Sequence, residues 1–571
     1  MRQTILGGFW GDFPPESDCG LIPSGIKGVF PLVFRRILFL SVSQSVWQRG
    51  DFFVNLPGLK FRTDMRKIFS YMAVAAMSAI AFGANAQDGA LVVKRGQADT
   101  VYKAKHQVLG LAAPQAEVVV NGKAVKAYKT GAWGVELELN EGDNAIEVKS
   151  GNESKSFNVY YSKTRKPLTQ EQIAAAKAKE AAEAEKAKFY PTSVKVKSKK
   201  YSYLNYGAGT DRLGGAKINY LSEGIEMFAD AENANLYRVR LSQNRYAYIP
   251  KSQVEIVGKA NEGYDFMQEN VVLSGSSTAY NMGSYDRVSI GVGAKKPFIV
   301  KEYTDPHKIV VDVYGVQCNS NWLTHKSGLK SVDNIDVESI DSDVTRFTIY
   351  LKTKSSWGFS ANYSGNSLNI DIKHVPEKLY LKNLTIGIDA GHGGPESNGA
   401  IGLSGLKEKE MNLDMAYKLK AILEKQGAKV VLTREGDEGM SIRERQDKMI
   451  EKKADIVISI HCNAGGSPLS TLGTSTYYRY NVYKPLAEDI LGYLLTMEDV
   501  KNFGMVGNFN FSLSAITEFP CVLVETLFIS SLWEEEQLAD PAFRQAMMEN
   551  VAKGLNDYIK ECRIIEGQAK K

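Results

Sequence analysis

Apolar and polar positions alternate in a two-residue rhythm through most of residues 88–375, and beyond about residue 380 this gives way to longer apolar runs separated by helical patterns. Residues 88–162 carry the alternation in Glu117-Val-Val-Val120 and Ala145-Ile-Glu-Val148, with turn signals at Asn121-Gly122 and Asn140-Glu-Gly-Asp143, and predict a small antiparallel β-sandwich. Residues 163–189 are dominated by Ala, Glu and Lys, which predicts a solvated helix acting as a semi-rigid linker. Residues 190–258 are rich in Tyr and β-branched residues and turn at Gly207-Ala-Gly209 and Gly214-Gly215. Residues 265–375 again read as all-β, through Ser284-Tyr-Asp-Arg-Val-Ser-Ile290, Asp305-Pro-His-Lys-Ile-Val-Val-Asp312 and Ser367-Leu-Asn-Ile-Asp-Ile372.

The rhythm changes in residues 380–562. Apolar runs at 384–389, 429–433, 455–460, 473–480 and 521–528 predict strands; helical patterns at 408–425, 441–453, 483–497 and 540–560 lie between or after them. Such alternation predicts an α/β sandwich with a mostly parallel sheet. In these sheets the chemistry collects at the carboxyl ends of the strands. The expected fold is therefore multidomain, a C-terminal α/β sandwich preceded by three small all-β domains.

Length agrees, since 571 residues exceed one core and suggest about three to five domains. The 70 basic and 65 acidic residues are interspersed and leave a formal charge of only +5, so no nucleic-acid footprint is present. A basic start at Met65-Arg-Lys, an apolar Ala-rich stretch over 71–82 and Ala84-Asn-Ala86 form a complete secretory signal at 65–86. Met65 is thus the expected initiator, with 1–64 an over-extended leader; the rival reading is a real N-terminal membrane anchor. Other apolar runs are too short to span a bilayer, so no transmembrane span is expected in the mature protein, which would be exported to the periplasm or cell envelope. Cys19, Cys318, Cys462, Cys521 and Cys562 show no CxxC spacing. Cys462 and Cys521 read as small buried hydrophobes.

Four C-terminal segments carry the candidate chemistry. They are Ile386-Gly-Ile-Asp-Ala-Gly-His392-Gly-Gly, Gly405-Leu-Lys-Glu408-Lys-Glu-Met-Asn-Leu413, Ile456-Val-Ile-Ser-Ile-His461-Cys-Asn463 and Val522-Leu-Val-Glu525-Thr526. Two His and a Glu from separate elements are what a hydrolytic zinc site needs, three protein ligands with a fourth position for water. A further carboxylate can take that water's proton. Each residue also has a plain structural explanation: the glycines a tight turn, Glu408 a first-turn carboxylate favoured by the helix dipole, His461 a capped buried ring, Glu525 an ion pair. Glu410 competes with Glu408, and Asn412, Arg434 and Arg445 read as structural. His106, His307, His325 and His374 have no partner motif and read as solvated. His461 and Cys462 adjoin on a strand and should point to opposite faces, so they are not expected to share a metal.

Taken in order, the four segments resemble the zinc-dependent N-acetylmuramoyl-L-alanine amidases, whose pattern runs D-x-G-H-G-G, G-x-x-E-K-x-x-N-L, S-I-H-x-N and L-V-E-T. Here these fall at 389–394, 405–413, 459–463 and 523–526. The loop after Gly394 is about one residue longer than the usual D-P-G-A form, and Met449-Ile450 and Ser530-Ser531 also depart from the pattern, without replacing a proposed ligand. The resemblance implies Zn2+ held by His392, Glu408 and His461, with Glu525 as general base and then acid. It implies peptidoglycan as substrate, cut at the amide between N-acetylmuramic acid and L-Ala of the stem peptide. Upstream, 88–162 resembles bacterial Ig-like modules, 190–258 an SH3-like barrel, and 265–375 the AMIN module that often precedes amidase domains. An envelope regulator protein is a further candidate partner; His461 and Glu525 are 64 positions apart, most of them taken by a predicted strand and the helix near 483–497, so no large inserted plug is expected, although that helix or an upstream module could still shield the site. Two other functions remain open: a non-catalytic wall-binding scaffold, and a zinc peptidase acting within the stem peptide.

Overall fold

The computed structural model describes residues 51–56, 59–64, 90–209, 214–260 and 266–568. The chain divides into two units, 1–77 and 78–571. Of the first, Asp51–Leu56 and Leu59–Asp64 pair as an antiparallel hairpin. The Met65 start, the signal at 65–86 and Cys19 lie outside the described residues.

In the second unit, a three-stranded sheet of Val92–Arg95, Lys105–Leu111 and Ala132–Glu138 shares one core with a five-stranded sheet ordered Thr100–Val101, Glu153–Tyr161, Gly142–Ser150, Glu117–Val120, Lys123–Lys126. Alternate side chains of both sheets, among them Val108, Trp133, Val118 and Val148, fill it, as the two-residue period of a strand requires. Helix Gln170–Ala187 follows, started by a Thr169–Gln172 capping box and with none of its residues buried.

Residues 190–259 form one antiparallel seven-stranded sheet, ordered Lys217–Tyr220, Tyr203–Asn205, Arg245–Pro250, Leu236–Ser242, Glu226–Glu232, Tyr190–Ser198, Val254–Lys259. Residues 271–373 form a five-stranded and a four-stranded sheet. A single apolar cluster runs from Val194 to Ile372, so these two bodies bury their cores against each other. Two histidines here depart from the solvated state expected of them. His307 lies within 2.9 Å of Glu302, and His374 within 2.8 Å of Asp286, each with its side chain under a tenth exposed. The pairing makes their burial tolerable, because each ring meets a carboxylate out of water.

The C-terminal sheet contains β1 (Thr385–Ala390), β2 (Lys429–Leu432), β3 (Ile456–Asn463), β4 (Thr474–Tyr477), β5 (Asn502–Val506) and β6 (Cys521–Phe528), in the spatial order β2-β1-β3-β6-β4-β5. All neighbours are parallel except β4 with β6. The helices are α1 (Glu408–Lys425), α2 (Ile442–Glu451), α3 (Lys484–Leu494), α4 (Leu532–Ala539) and α5 (Pro541–Ile565). Ile386, Ile388, Ile458, Ile460, Val522 and Val524 pack under α1, α3 and α5. Val457 and Cys521 face the opposite way, against Met449 of α2 and Phe519. Two elements had no legible signal: β5 is an edge strand interrupted by Gly504, and α4 contains Glu534-Glu-Glu536.

Candidate metal centre

The sheet delivers its chemistry at the carboxyl ends of β1, β3 and β6. His392 follows β1, His461 lies near the end of β3, and Glu408 opens α1. One ligand atom from each lies within 4.8 Å of the others, a set that could hold a metal ion. His392 Nε2 stands 3.1 Å and His461 Nδ1 3.0 Å from Glu408 Oε1. Two imidazoles and a carboxylate are zinc's usual donors, so the residues fit that ion. Burial alone would raise the Glu408 carboxyl, but hydrogen bonds from His392 and His461 outweigh it and hold the group well below the usual carboxylate range. Burial would conversely lower His461, yet Glu408 and the charge of Glu525 raise it. Glu408 is also fixed by backbone: Ala400 N–H donates to Oε2 at 2.7 Å and Cys462 N–H to Oε1 at 3.1 Å. Glu410 points away and pairs with Lys407.

His392 has a left-handed backbone, φ 61°, a conformation costly for a residue with a Cβ. Its surroundings hold it there. Arg445 Nη2 donates to His392 O at 2.6 Å while Nη1 reaches both Asp389 Oδ1 and Ala390 O at 2.7 Å. Arg434 donates from Nε to Ala390 O at 2.9 Å and from Nη2 to Gly391 O at 3.1 Å. Ser397 Oγ lies 3.0 Å from His392 Nδ1 and so orients the ring. Asp389, 1% exposed, additionally accepts from Thr433 Oγ1 at 2.8 Å and Ser459 Oγ at 2.6 Å. Gly391 is required for space: a Cβ there would stand 2.3 Å from the His461 ring.

Glu525 sits directly opposite His461 in the parallel β3–β6 register, immediately before a register shift. Its side chain is half-buried. Cys462 points to the other face, into the core beneath α1, where burial raises its thiol well above the ordinary value. Outside these motifs, Phe511 also reaches the centre, its ring 5.9 Å from that of His461 at 85°. It was not among the candidate residues, because the segment that carries it belongs to no predicted strand or helix.

Comparison with known proteins bears on the same stretch. Residues 386–557 match the profile of the family described as N-acetylmuramoyl-L-alanine amidase. The germination-specific N-acetylmuramoyl-L-alanine amidase of Bacillus subtilis (strain 168) is 31% identical over 202 residues, covering 33% of this chain and 84% of that protein. The chain belongs to the N-acetylmuramoyl-L-alanine amidase family. The probable cell wall amidase LytH of Staphylococcus saprophyticus is 32% identical across 36% of this chain and 68% of its own length. The chain spans a smaller part, 53%, of Escherichia coli amidase AmiC, at 30% identity. Among solved structures, the catalytic domain of the amidase CwlV from Bacillus (Paenibacillus) polymyxa var. colistinus is 34% identical, covers 31% of this chain and 98% of that one, and has a TM-score of 0.30.

Proposed function

We propose that the protein is an exported, zinc-dependent peptidoglycan amidase of the cell envelope that cleaves the amide between N-acetylmuramic acid and L-Ala of the stem peptide. The observation that carries this reading is the convergence of His392, Glu408 and His461 within 4.8 Å, beside Glu525 on the neighbouring strand, in a chain of the amidase family. Bound by these three residues, zinc would supply the Lewis acidity that activates water near neutral pH and polarises an amide carbonyl. The protein's own residues do the rest. Glu408, kept anionic by its two histidines, contributes negative charge to the centre. Ser397 fixes the His392 ring by its contact with Nδ1, and Asp389 and Arg445 fix the turn that presents it. The Glu525 carboxylate accepts the water's proton as the carbon–oxygen bond forms, then returns it to the amine as the carbon–nitrogen bond breaks.

Among the described residues no helix is long and apolar enough to cross a membrane. We assign residues 88–162, 190–258 and 265–375 as Ig-like, SH3-like and AMIN-like modules. The deciding experiment is mass spectrometry of muropeptides after digestion of purified peptidoglycan. Intact stem peptides beginning with L-Ala are expected. Fragments cut inside the stem would identify a peptidase, and binding to wall without any release would identify a scaffold.

A further inference from the structure

Residues 508–512 run Asn-Phe-Asn-Phe-Ser between β5 and β6, and their side chains alternate between two different environments. Phe509 faces Tyr477 of β4, ring centroids 4.7 Å apart, and stacks at 6.1 Å on Phe511, which in turn stands against His461. The asparagines do other work. Asn510 accepts from Lys217 N–H through Oδ1 at 3.0 Å and donates from Nδ2 to Gly215 O at 2.9 Å, both in the 190–259 body. Asn508 accepts from Arg479 Nη1 at 2.7 Å, and the same guanidinium donates to Lys217 O. The 190–259 body also grips the outer face of α2: Arg443 lies over the Tyr201 ring at 3.5 Å, and Tyr201 Oη donates to Asp447 at 3.1 Å. That helix carries Arg445 on its inner side.

We infer that the 190–259 body is a working part of the catalytic site rather than a separate adhesion module, and that through Asn510 it holds the 508–512 strap so that Phe511 stands against the ring of His461. The inference rests on the proposed hydrolytic reading only for the role of His461; the clamp itself is a matter of contacts. An extended segment lacks the internal hydrogen bonds of a helix, so its position depends on partners outside itself. Tyr478 O, Arg479 and Gln446 supply some of these from within the C-terminal domain, and those of the Asn510 side chain come from nearly three hundred residues upstream. Asn510 is on this view a positioning residue acting through Phe511, and Phe511 a positioning residue acting on His461.

The test uses the full chain with Asn510→Ala, Phe511→Ala, the double variant and Phe511→Tyr. Amide hydrogen exchange of residues 507–512 should quicken in Asn510→Ala, a readout that needs neither zinc nor turnover. On peptidoglycan, Phe511→Ala should lower kcat/KM roughly tenfold and Asn510→Ala roughly three- to tenfold, with zinc content and the melting transition kept. Phe511→Tyr, which retains the ring, should restore wild-type kcat/KM. In the Phe511→Ala background, Asn510→Ala should add nothing, because its route to His461 is already gone. Unchanged exchange in Asn510→Ala, or effects that simply multiply in the double variant, would overturn the inference. A wild type that releases no stem peptide defeats the amidase reading instead, and leaves the exchange measurement to decide the clamp.

Discussion

Arg445→Met separates what the buried ion pair does for the fold from what it does for the metal centre. Arg445 and Asp389 have side chains only 3% and 1% exposed, and their closest atoms are 2.7 Å apart. Methionine fills much of the volume but leaves the Asp389 charge buried without its ion-pair partner, hydrogen-bonded by the hydroxyls of Thr433 and Ser459 and within the field of His461 and Arg434. Removing one partner of such a pair costs about 3–5 kcal/mol. At about 2–4 °C per kcal/mol for a domain of this size, the catalytic transition should melt roughly 6–20 °C lower. Adding Asp389→Asn removes the stranded charge, so the double variant should recover at least half of the lost stability. Zinc affinity should not recover with it. Methionine has no donor for His392 O, so the left-handed turn loses the support that Arg445 gives it, and affinity stays roughly 10–100-fold below wild type. Differential scanning calorimetry and chelator competition on the same preparations read the two quantities. Additive stability losses in the double variant, or zinc affinity that returns together with stability, would refute the argument.

Three further outcomes follow from the site. Glu525→Gln should keep zinc and the melting transition while turnover on peptidoglycan falls roughly 10²–10⁴-fold, the usual worth of general acid–base catalysis; elemental analysis beside product release checks both. His392→Ala, Glu408→Ala and His461→Ala should each lose zinc and activity together, and stoichiometric zinc in any of them would reject that ligand. Glu535 is buried against Ser404, and burial pushes its carboxyl up to about 7. A carboxylate whose folded pKa exceeds its unfolded value binds more protons when folded, so its contribution is full below about pH 4.3 and is lost as pH rises toward about 7. Glu535→Gln should therefore stabilise at pH 7.5, by on the order of 2–3 kcal/mol, and change little at pH 4; equal effects at both pH values in urea melts would contradict the burial argument.

Much of the C-terminal domain was legible because its parallel strands are buried on both faces and read as unbroken apolar runs. Ile456-Val-Ile-Ser-Ile460 is such a run, and every residue of it is buried. The candidate site was legible for a related reason. His461 and Glu525 end such runs, and polar residues at those points must be satisfied by something specific. What stayed hidden was polar burial inside otherwise polar sequence. Glu534 and Glu535 belong to a three-residue acidic run that reads as solvated, yet Glu534 accepts from Phe528, Gly473 and Leu472 N–H groups and Glu535 from Ser404. His307 and His374 fail the same way, since the carboxylate that makes burial tolerable, Glu302 or Asp286, sits on another strand.

The 508–512 strap illustrates a different limit. Its Asn-Phe-Asn-Phe pattern has the two-residue period of a strand, but it forms no strand; Phe509 N–H donates to Tyr478 O, and the asparagine side chains meet Lys217, Gly215 and Arg479. A local pattern can report that alternate side chains face alternate environments; it cannot report that one environment is a body 293 residues earlier in the chain. This is also why dividing the chain by rhythm makes the upstream bodies look independent of the chemistry. The contacts made by Tyr201, Lys217 and Gly215 tie the 190–259 body to both the helix that carries Arg445 and the strap that carries Phe511. Two of the supports around the histidines are therefore in contact with a body whose tyrosine-rich, turn-rich sequence reads by itself as a separate small core.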